Sequence, residues 1–317
     1  MLPERQFINR IRGLAGRAKQ GELVRGIGDD CAILQLPPGN QLLVTTDLCV
    51  EDVHFRREWH PARSVGHRCL ARGLSDIAAM GGDPVACFLS LGIPAELPQR
   101  WVDEFLRGLL HLARQFRTPL AGGDTSSADK ITADILLLGQ VPSGKALLRS
   151  GARPGDRIYV TGELGGSAAV LKRLYGGEKI RPRRKSRHFY PAPRIAMARL
   201  LREKALANAM IDISDGLSVD LAHMCQESRV SALIEAGAIP RAKAVTLDLA
   251  LHGGDDYELL FTARQHLTLP QKIAGIPITP IGRILPRPSV RSKVQIQDES
   301  GHAKLLEPEG WQHFAKI

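Results

Sequence analysis

The sequence predicts an α/β (α+β) fold that is divided into two domains. Its 317 residues are more than one hydrophobic core usually serves. Segments with the apolar spacing of helices alternate with short apolar runs that are typical of strands. A turn-rich passage from Pro142 to Asp156 separates the two halves. We therefore predict an N-terminal domain at residues 1–145 and a C-terminal domain at residues 146–317.

Apolar periodicity predicts the elements of the first domain. Apolar residues three and four apart mark helices, and apolar runs bounded by Gly or Pro mark strands. The predicted elements are, in order, a helix at 5–19, a short apolar run at 31–36, a strand at 42–46, a helix at 65–77, a strand at 85–93, a helix at 101–116 and a strand at 131–141.

The second domain is predicted to begin with a strand-turn-helix unit. Residues 157–161 have the composition of a strand, the glycine-rich residues 162–166 form a turn, and residues 167–175 have helical spacing. The elements predicted after this unit are helices at 192–206 and 216–228 and strands at 231–235, 257–262 and 278–284.

Composition excludes several classes of protein. No run approaches the roughly 18 apolar residues of a membrane span, and the N-terminus lacks a secretory apolar segment, so we predict a cytoplasmic protein without a membrane partner. The net charge of +10 suits either nucleic acid or small phosphorylated ligands. The densest basic stretch, residues 179–194, contains three prolines and is interpreted as a solvated loop. We therefore predict no nucleic-acid partner.

Cysteines and a glycine-rich segment exclude two further kinds of site. The five cysteines are odd in number and widely spaced, so they indicate buried apolar positions and neither disulfides nor a zinc site. The segment from Gly139 to Ala146 nearly matches a P-loop. However, Ala146 cannot supply the hydroxyl that such a loop offers to Mg²⁺.

Aspartates next to Gly, Ser or Thr recur along the chain. Asp begins turns and caps helices for local reasons, so one such motif alone is usually structural. Several of them in one pocket would repel each other unless cations lay between them. The motifs, which we place in turns beside apolar strands, are Gly28-Asp29-Asp30, Thr45-Thr46-Asp47, Ser75-Asp76, Gly122-Gly123-Asp124-Thr125, Asp212-Ile213-Ser214-Asp215-Gly216 and Gly253-Gly254-Asp255-Asp256.

These candidate ligands are hard oxygen donors without an accompanying His or Cys cluster, which favours Mg²⁺ or Mn²⁺. Mg²⁺ usually binds through one or two carboxylates together with substrate phosphates, so a polyphosphate such as ATP is the expected ligand. Phosphoryl transfer to an anionic acceptor needs positioning and charge neutralisation, and no protein nucleophile is expected.

In order, these motifs resemble the thiamine-monophosphate kinases of the aminoimidazole-ribonucleotide synthetase-like superfamily. The resemblance extends from about residue 4 to Trp311 and includes Val50-Glu51-Asp52-Val53-His54-Phe55 and Asp255-Asp256-Tyr257-Glu258-Leu259. It implies an N-terminal mixed-sheet domain that dimerises and a C-terminal α/β domain. It also implies a homodimer that uses several Mg²⁺ ions to phosphorylate thiamine monophosphate with ATP, giving thiamine diphosphate.

The resemblance also implies roles for individual residues. The predicted metal ligands are Asp30, Thr45, Thr46, Asp47, Asp76, Asp124, Asp212 and Asp215. The predicted nucleotide contacts are Gly123, Asp124, Arg149 and Ser214. The predicted contacts to the thiamine substrate are His54, Asp255 and Trp311, with Glu258 as the alternative to Asp255. The family usually has Gly where this chain has Asp52, and Glu where it has Asp255.

Three alternatives remain open at the level of sequence. Two are other ATP-binding members of the superfamily, selenophosphate synthetase and the hydrogenase-maturation carbamoyl dehydratase. The first needs a reactive Cys or selenocysteine near its N-terminus, and the second ends in Cys, whereas this chain ends in Ile317. The third is a non-catalytic nucleotide sensor or a basic nucleic-acid-binding protein on this fold, and the presence of every metal-type aspartate argues against a sensor.

Overall fold

The computed structural model describes residues 2, 4–16, 21–27, 31–183, 186–287 and 293–311, without the side chains of residues 4 and 5. The chain divides into two compact units. Unit 1 comprises Met1–Ile77, Gly82–Gly144 and Lys179–Pro191, and unit 2 comprises Ala78–Gly81, Lys145–Glu178 and Ala192–Ile317. No helix within the described ranges is long and apolar enough to cross a membrane.

Unit 1 contains a mixed sheet with helices on one face. Its elements are α1 (Glu4–Ala15), β1 (Leu23–Arg25), β2 (Ile33–Leu34), β3 (Asn40–Val50), α2 (Ala62–Ala79), β4 (Asp83–Ile93), α3 (Gln99–Gln115), β5 (Leu120–Ser127) and β6 (Thr132–Pro142). The strand order is β3-β6-β4-β5, in which only β4 and β5 run parallel. Strands β1 and β2 form a separate antiparallel pair.

Two glycines allow α2 and α3 to pack closely. A Cβ at Gly66 would lie 1.9 Å from the backbone oxygen of Phe105, and a Cβ at Gly108 would lie 1.9 Å from that of Arg63. Any side chain at either position would therefore force the helices apart. Residues of α2 such as Leu70 and Leu74 are fully buried.

The segment Lys179–Pro191 connects elements of unit 2 but packs on unit 1. His188 and Phe189 are buried, and His188 Nε2 lies 3.0 Å from Nε2 of His60. Arg68 donates a hydrogen bond to the backbone oxygen of His188. The interpretation of residues 179–194 as a solvated loop is thus wrong for residues 188–194, most of which are buried, whereas Lys179, Arg181 and Arg183 are exposed. Residues 184 and 185 lie outside the described ranges.

Unit 2 is built on a second, larger sheet. Its elements are β7 (Arg157–Thr161), α4 (Gly166–Tyr175), α5 (Ile195–Glu203), β8 (Ala209–Ile213), α6 (Leu217–Ser228), β9 (Ser231–Glu235), α7 (Leu247–His252), β10 (Glu258–Ala263), β11 (Lys272–Ile273), β12 (Ile276–Leu285), β13 (Val294–Gln297) and β14 (Ala303–Leu305). The strand order is β14-β13-β9-β12-β7-β10-β8, with β11 paired to β12. Alternate apolar residues of β7, β8 and β10 pack against Leu217, Leu221 and Met224 of α6.

Regular elements hold three of the aspartate motifs that we predicted in turns. Thr45-Thr46-Asp47 lies inside β3, Ser75-Asp76 inside α2 and Gly122-Gly123-Asp124-Thr125 inside β5. For the motifs in β3 and β5 the prediction of turns is wrong because cross-strand pairing overrides the local preference of Gly and Asp. Ser75-Asp76 lies instead within the helix that apolar periodicity predicted at 65–77. Strand β8, which was not predicted, leads directly into the Asp212 motif. Among the cysteines, Cys31 is exposed rather than buried.

Candidate active site

Strand β3 and helix α2 face each other through a series of polar pairs. Thr45 Oγ1 donates a 2.5 Å hydrogen bond to Asp76 Oδ2, and Arg72 Nη2 lies 3.3 Å from Asp47 Oδ1. Alternate strand residues are about 6.6 Å apart, and helix residues four apart are about 6 Å apart, so the two spacings match. Two predicted metal ligands, Asp47 and Asp76, are therefore brought to the same side of the sheet.

The carboxyl group of Asp47 is hard to ionise in the absence of a metal ion. Burial raises its pKa to about 6, and the nearby carboxylates of Asp76 and Asp134 also raise it, whereas Arg72 opposes the shift. A divalent cation near these oxygens would favour the ionised form. This group of hydroxyl and carboxylate oxygens fits the donor preference of Mg²⁺.

The opposite face of the sheet carries another set of predicted ligands. Residues paired across strands point to the same face, and Leu48, Asp134, Ser90 and Asp124 form one such row across β3, β6, β4 and β5. Asp124 is exposed in this row. Because side chains alternate along a strand, Thr46 also projects to this face, away from its neighbours Thr45 and Asp47.

A cavity of about 580 Å³ lies beside the edge strand β5. Its polar side is formed by Gly122, Gly123, Asp124 and Thr125. The rest is lined by mostly apolar residues of α1, β4 and β5, such as Phe88, and by residues beside β1 and β2. At Gly123, where φ is +148°, a Cβ would lie 1.9 Å from the backbone oxygen of Leu89. Only glycine permits this close approach, which keeps the strand backbone at the cavity wall.

In unit 2, the loop after β8 is held by a buried carboxylate. Asp220 accepts hydrogen bonds from the backbone N–H groups of Ser214, Asp215 and Gly216 at 3.1, 3.2 and 3.1 Å. Burial raises the pKa of Asp220 to about 8, and the charges of Asp212 and Asp215 add to the shift. The charges of Asp212 and Asp215 thus act on the carboxyl group of Asp220, and a cation bound nearby would favour its ionised form.

The C-terminal segment runs against the same loop. Trp311 donates its backbone N–H to the oxygen of Asp215 at 3.0 Å. A Cβ at residue 310 would lie 2.2 Å from that oxygen, so Gly310 is required for the passage. Trp311 is 51% exposed, so it is not packed in a core.

Asp255 and Glu258 differ sharply in their surroundings. Asp255 is partly exposed, donates its backbone N–H to the oxygen of Ser214, and accepts a 2.6 Å hydrogen bond from the Tyr257 hydroxyl. Glu258 is fully buried, binds Arg194 through both carboxylate oxygens at 2.5 and 2.7 Å, and also accepts from Thr161. These contacts favour Asp255 as the substrate-contacting residue, and the choice between the two stays a prediction.

His54 lies in the turn after β3. Its Nδ1 accepts a 3.0 Å hydrogen bond from the backbone N–H of Val50, so the neutral ring carries its proton on Nε2. The neighbouring Asp52 has a positive φ of 66° and pairs with Lys130 at 2.9 Å. Glycine suits position 52 because the backbone there is left-handed, and Asp tolerates this conformation better than most residues.

Arg149 and Ser214 are not brought together within unit 2. Leu148 pairs with Ala209 at the start of β8, whereas Ser214 follows the end of that strand. The backbone positions of the two residues are therefore separated by most of the length of β8, roughly 16 Å for five strand residues. Their shared role as nucleotide contacts stays a prediction.

Among the residues that the structure describes, no group of three or more His, Cys, Asp and Glu side chains is arranged to hold a metal ion. The predicted ligands occur instead in smaller sets, of which Asp47 with Asp76 is one and Asp212 with Asp215 another. Mg²⁺ tolerates such sets because water and substrate phosphates complete its coordination. The predicted ligand Asp30 lies outside the described residues.

Three residues near these sets were not predicted from the sequence: Arg72, Asp134 and Asp220. Two of them are recognisable in the sequence. Asp134 is a charged residue inside the apolar run of β6, and Asp220 is an acidic residue in the first turn of α6. Arg72 has no such recognisable feature, because basic residues are common on helices. Its importance comes from its contact with Asp47, which lies on β3 and is remote from it in the chain.

Comparison with known proteins identifies the family. Residues 28–141 match the family model of AIR synthase related protein, N-terminal domain, and residues 153–294 match that of the C-terminal domain. Thiamine-monophosphate kinase of Escherichia coli (strain K12) is 37% identical over 316 residues, which cover 94% of each chain.

Solved structures agree with this match. The crystal structure of thiamine-monophosphate kinase from Stenotrophomonas maltophilia K279a is 36% identical, with a TM-score of 0.80 and coverage of 92% of this chain and 96% of that one. The structure of AaThiL complexed with AMPPCP and TMP is 30% identical, with a TM-score of 0.76 and coverage of 98% and 97%. The predicted fold class and the predicted resemblance are confirmed, and the chain belongs to the thiamine-monophosphate kinases of the AIR synthase related family.

Proposed function

We propose that this enzyme transfers the γ-phosphoryl group of ATP to the phosphate of thiamine monophosphate, forming thiamine diphosphate and ADP. The observation that carries the proposal is similarity along nearly the whole chain to thiamine-monophosphate kinases, one of which is described as complexed with AMPPCP and TMP. The carboxylate sets on β3, α2 and the loop after β8 supply the charge that such a transfer requires.

Mg²⁺ is the proposed metal, because the donor sets consist of carboxylate and hydroxyl oxygens. When bound, it neutralises phosphate charge and orients the reacting groups. Residues of the chain hold the ions and substrates in line, and no side chain acts as a nucleophile. The proposed ligands are Asp30, Thr45, Thr46, Asp47, Asp76, Asp124, Asp212 and Asp215.

The cavity beside β5 is the proposed site for part of the nucleotide. Gly122 and Gly123 line this cavity, and backbone N–H groups of its wall are the proposed partners of the phosphate oxygens. The apolar wall suits a purine base, and ligand cavities commonly combine such a wall with a few polar groups. Further proposed nucleotide contacts are Asp124, Arg149 and Ser214.

The thiamine part is proposed to contact His54 and Trp311. The exposed indole offers an aromatic face to the cationic thiazolium, an interaction worth about 0.5 to 2 kcal/mol. His54 offers an Nε2–H donor, since its Nδ1 already accepts a backbone hydrogen bond. Asp255 is the proposed carboxylate contact, and Glu258 is the less favoured alternative because it is buried against Arg194.

A homodimer formed through the sheet of unit 1 is part of the proposal. Leu42, Val44 and Leu48 lie on alternate positions of β3 and are 50%, 58% and 53% exposed. They project to the face that α2 and α3 do not cover. An apolar strand face of this kind is normally covered in a folded assembly, and the occupant that we propose is the same sheet of a second copy.

Incubation of the protein with Mg²⁺, ATP and thiamine monophosphate tests the activity, with thiamine diphosphate and ADP as the measured products. Asp47→Asn and Asp124→Asn should each lower kcat by about 100-fold or more, because each removes a charge that balances the metal. Asp52→Asn is the matched control, since Asp52 is an exposed turn residue paired with Lys130. A wild-type protein that forms no thiamine diphosphate would contradict the proposed function.

A further inference from the structure

A cationic side chain lies within one of the proposed metal-binding sets. Arg72 is one helical turn before Asp76 on α2, and its Nη2 is 3.3 Å from Oδ1 of Asp47. The side chains of Arg72 and Asp47 are 17% and 20% exposed, so solvent screens this pair only weakly. The positive charge therefore contributes to the potential at the carboxylates that the metal would use.

The contact between Arg72 and Asp47 is looser than a strong ion pair. Charge-assisted hydrogen bonds are about 2.7–2.9 Å long, and Arg194 binds Glu258 at 2.5 and 2.7 Å in the same chain. A pair at 3.3 Å in a partly open position is easier to separate than that buried one. Separation of Arg72 from Asp47 therefore disrupts a pair that is partly exposed and not fully buried.

A divalent cation bound to Asp47 would lie close to the guanidinium that contacts the same carboxylate. Two cations within about 4 Å repel by several kcal/mol at the effective dielectric of a protein surface. The charge of Arg72 would therefore oppose a metal ion on Asp47, and movement of the guanidinium away from the carboxylate would relieve this repulsion. A nucleotide changes this balance, because its phosphates supply both further metal ligands and additional negative charge.

We propose that Arg72 is a built-in counterion of Asp47 and that a divalent cation must displace it. The site therefore binds a free divalent ion weakly, and it binds the ion more tightly when the ion arrives with a nucleotide. The inference rests on the proposed function only in taking Asp47 as a metal ligand. Arg72 is in this respect a positioning residue, because it acts on the metal through Asp47.

Calorimetric titration of the full-length protein with MgCl₂, without nucleotide, tests the inference. Arg72→Met should bind Mg²⁺ about fivefold to tenfold more tightly than the wild type, since a partly buried competing charge is removed. Arg72→Lys, which keeps the charge, should stay close to the wild type. The matched control is Arg63→Met on the same helix, where Arg63 pairs with Glu104 at 3.1 Å on the surface, and its affinity should not change.

The rise in thermal unfolding temperature on addition of Mg²⁺ provides a second readout. If Arg72→Met does not fold, Arg72→Gln is compared with Arg72→Lys instead. The neutral variant, Arg72→Gln, should show the larger Mg²⁺-dependent rise in unfolding temperature. Equal or weaker Mg²⁺ binding by the neutral variants overturns the inference. The kinase assay tests the proposed function separately from this inference. A wild-type protein that makes no thiamine diphosphate would reject the function, but the effect of Arg72 on Mg²⁺ affinity could still be measured.

Discussion

Single residues around the loop after β8 combine structural and electrostatic roles. Asp220 satisfies three backbone N–H groups, and it stands beside Asp212 and Asp215, whose charges oppose its ionisation. The same carboxylate therefore shapes the loop and makes it sensitive to protons and cations. Trp311 is tied to this loop through its backbone and leaves its indole half exposed.

The raised pKa of Asp220 predicts a dependence of stability on pH. Its folded-state pKa of about 8 exceeds the ordinary value of 3.8, so its contribution is fully present below about pH 4 and is lost as the pH rises through 8. Asp220→Asn keeps an oxygen acceptor and cannot ionise. In EDTA, the unfolding free energy of this variant should fall less than that of the wild type between pH 5 and 8.

Chemical denaturation at a series of pH values measures this difference. Asp248→Asn is the control, because Asp248 is an exposed carboxylate in the first turn of α7. Parallel curves for wild type and Asp220→Asn would show that Asp220 is ionised at lower pH than we infer.

A substrate role for Trp311 is tested by Trp311→Ala. We expect KM for thiamine monophosphate to rise by about threefold to thirtyfold with little change in kcat, which corresponds to the loss of a cation–π contact. Steady-state kinetics give both values. Tyr175→Ala is the matched control, since Tyr175 is an aromatic residue that is 64% exposed on α4. An unchanged KM for Trp311→Ala would assign the indole to packing alone.

At the scale of elements, a buried ion pair joins the start of α5 to strands β7 and β10. Arg194 precedes α5, Glu258 begins β10, and Thr161 ends β7. A Cβ at Gly162, where φ is +62°, would lie 2.2 Å from the Glu258 carboxylate. The strand end therefore tolerates only glycine beside this ion pair.

Loss of one partner of this pair should destabilise unit 2. Arg194→Met leaves the Glu258 carboxylate buried without its cation, and we expect the unfolding free energy to fall by about 3–5 kcal/mol. The double variant Arg194→Met with Glu258→Leu should recover much of the loss, because neither charge then needs to be desolvated. Arg173→Met, which affects an exposed pair with Glu178, should change stability little. Equal losses in the single and double variants would contradict this account.

At the scale of the whole molecule, the uncovered sheet face of unit 1 determines the expected assembly. Val44→Lys places a charge in the centre of this apolar face and should convert the proposed dimer to a monomer in analytical ultracentrifugation. Leu305→Lys is the control, since Leu305 is an equally exposed apolar residue on β14. A wild-type monomer at micromolar concentration would reject the dimer itself.

The sequence by itself determined the family, the fold class and much of the element order. Ordered motifs and apolar periodicity are properties of short segments, and strands such as β7 and β9 follow directly from them. Motifs rich in Gly and Asp misled the prediction where strand pairing prevailed, as in β5. Strand β8 was missed although all five of its residues are buried.

Only the tertiary structure decided how individual side chains are used. It buried Glu258 against a partner 97 positions away, placed Thr46 and Asp47 on opposite faces of one strand, and set Arg72 beside Asp47. The physical reason is that hydrogen bonds, burial and Coulomb interactions depend on distances between residues that are remote in the chain. A motif specifies which chemical groups are present, and the packing of helix on sheet decides which of them meet.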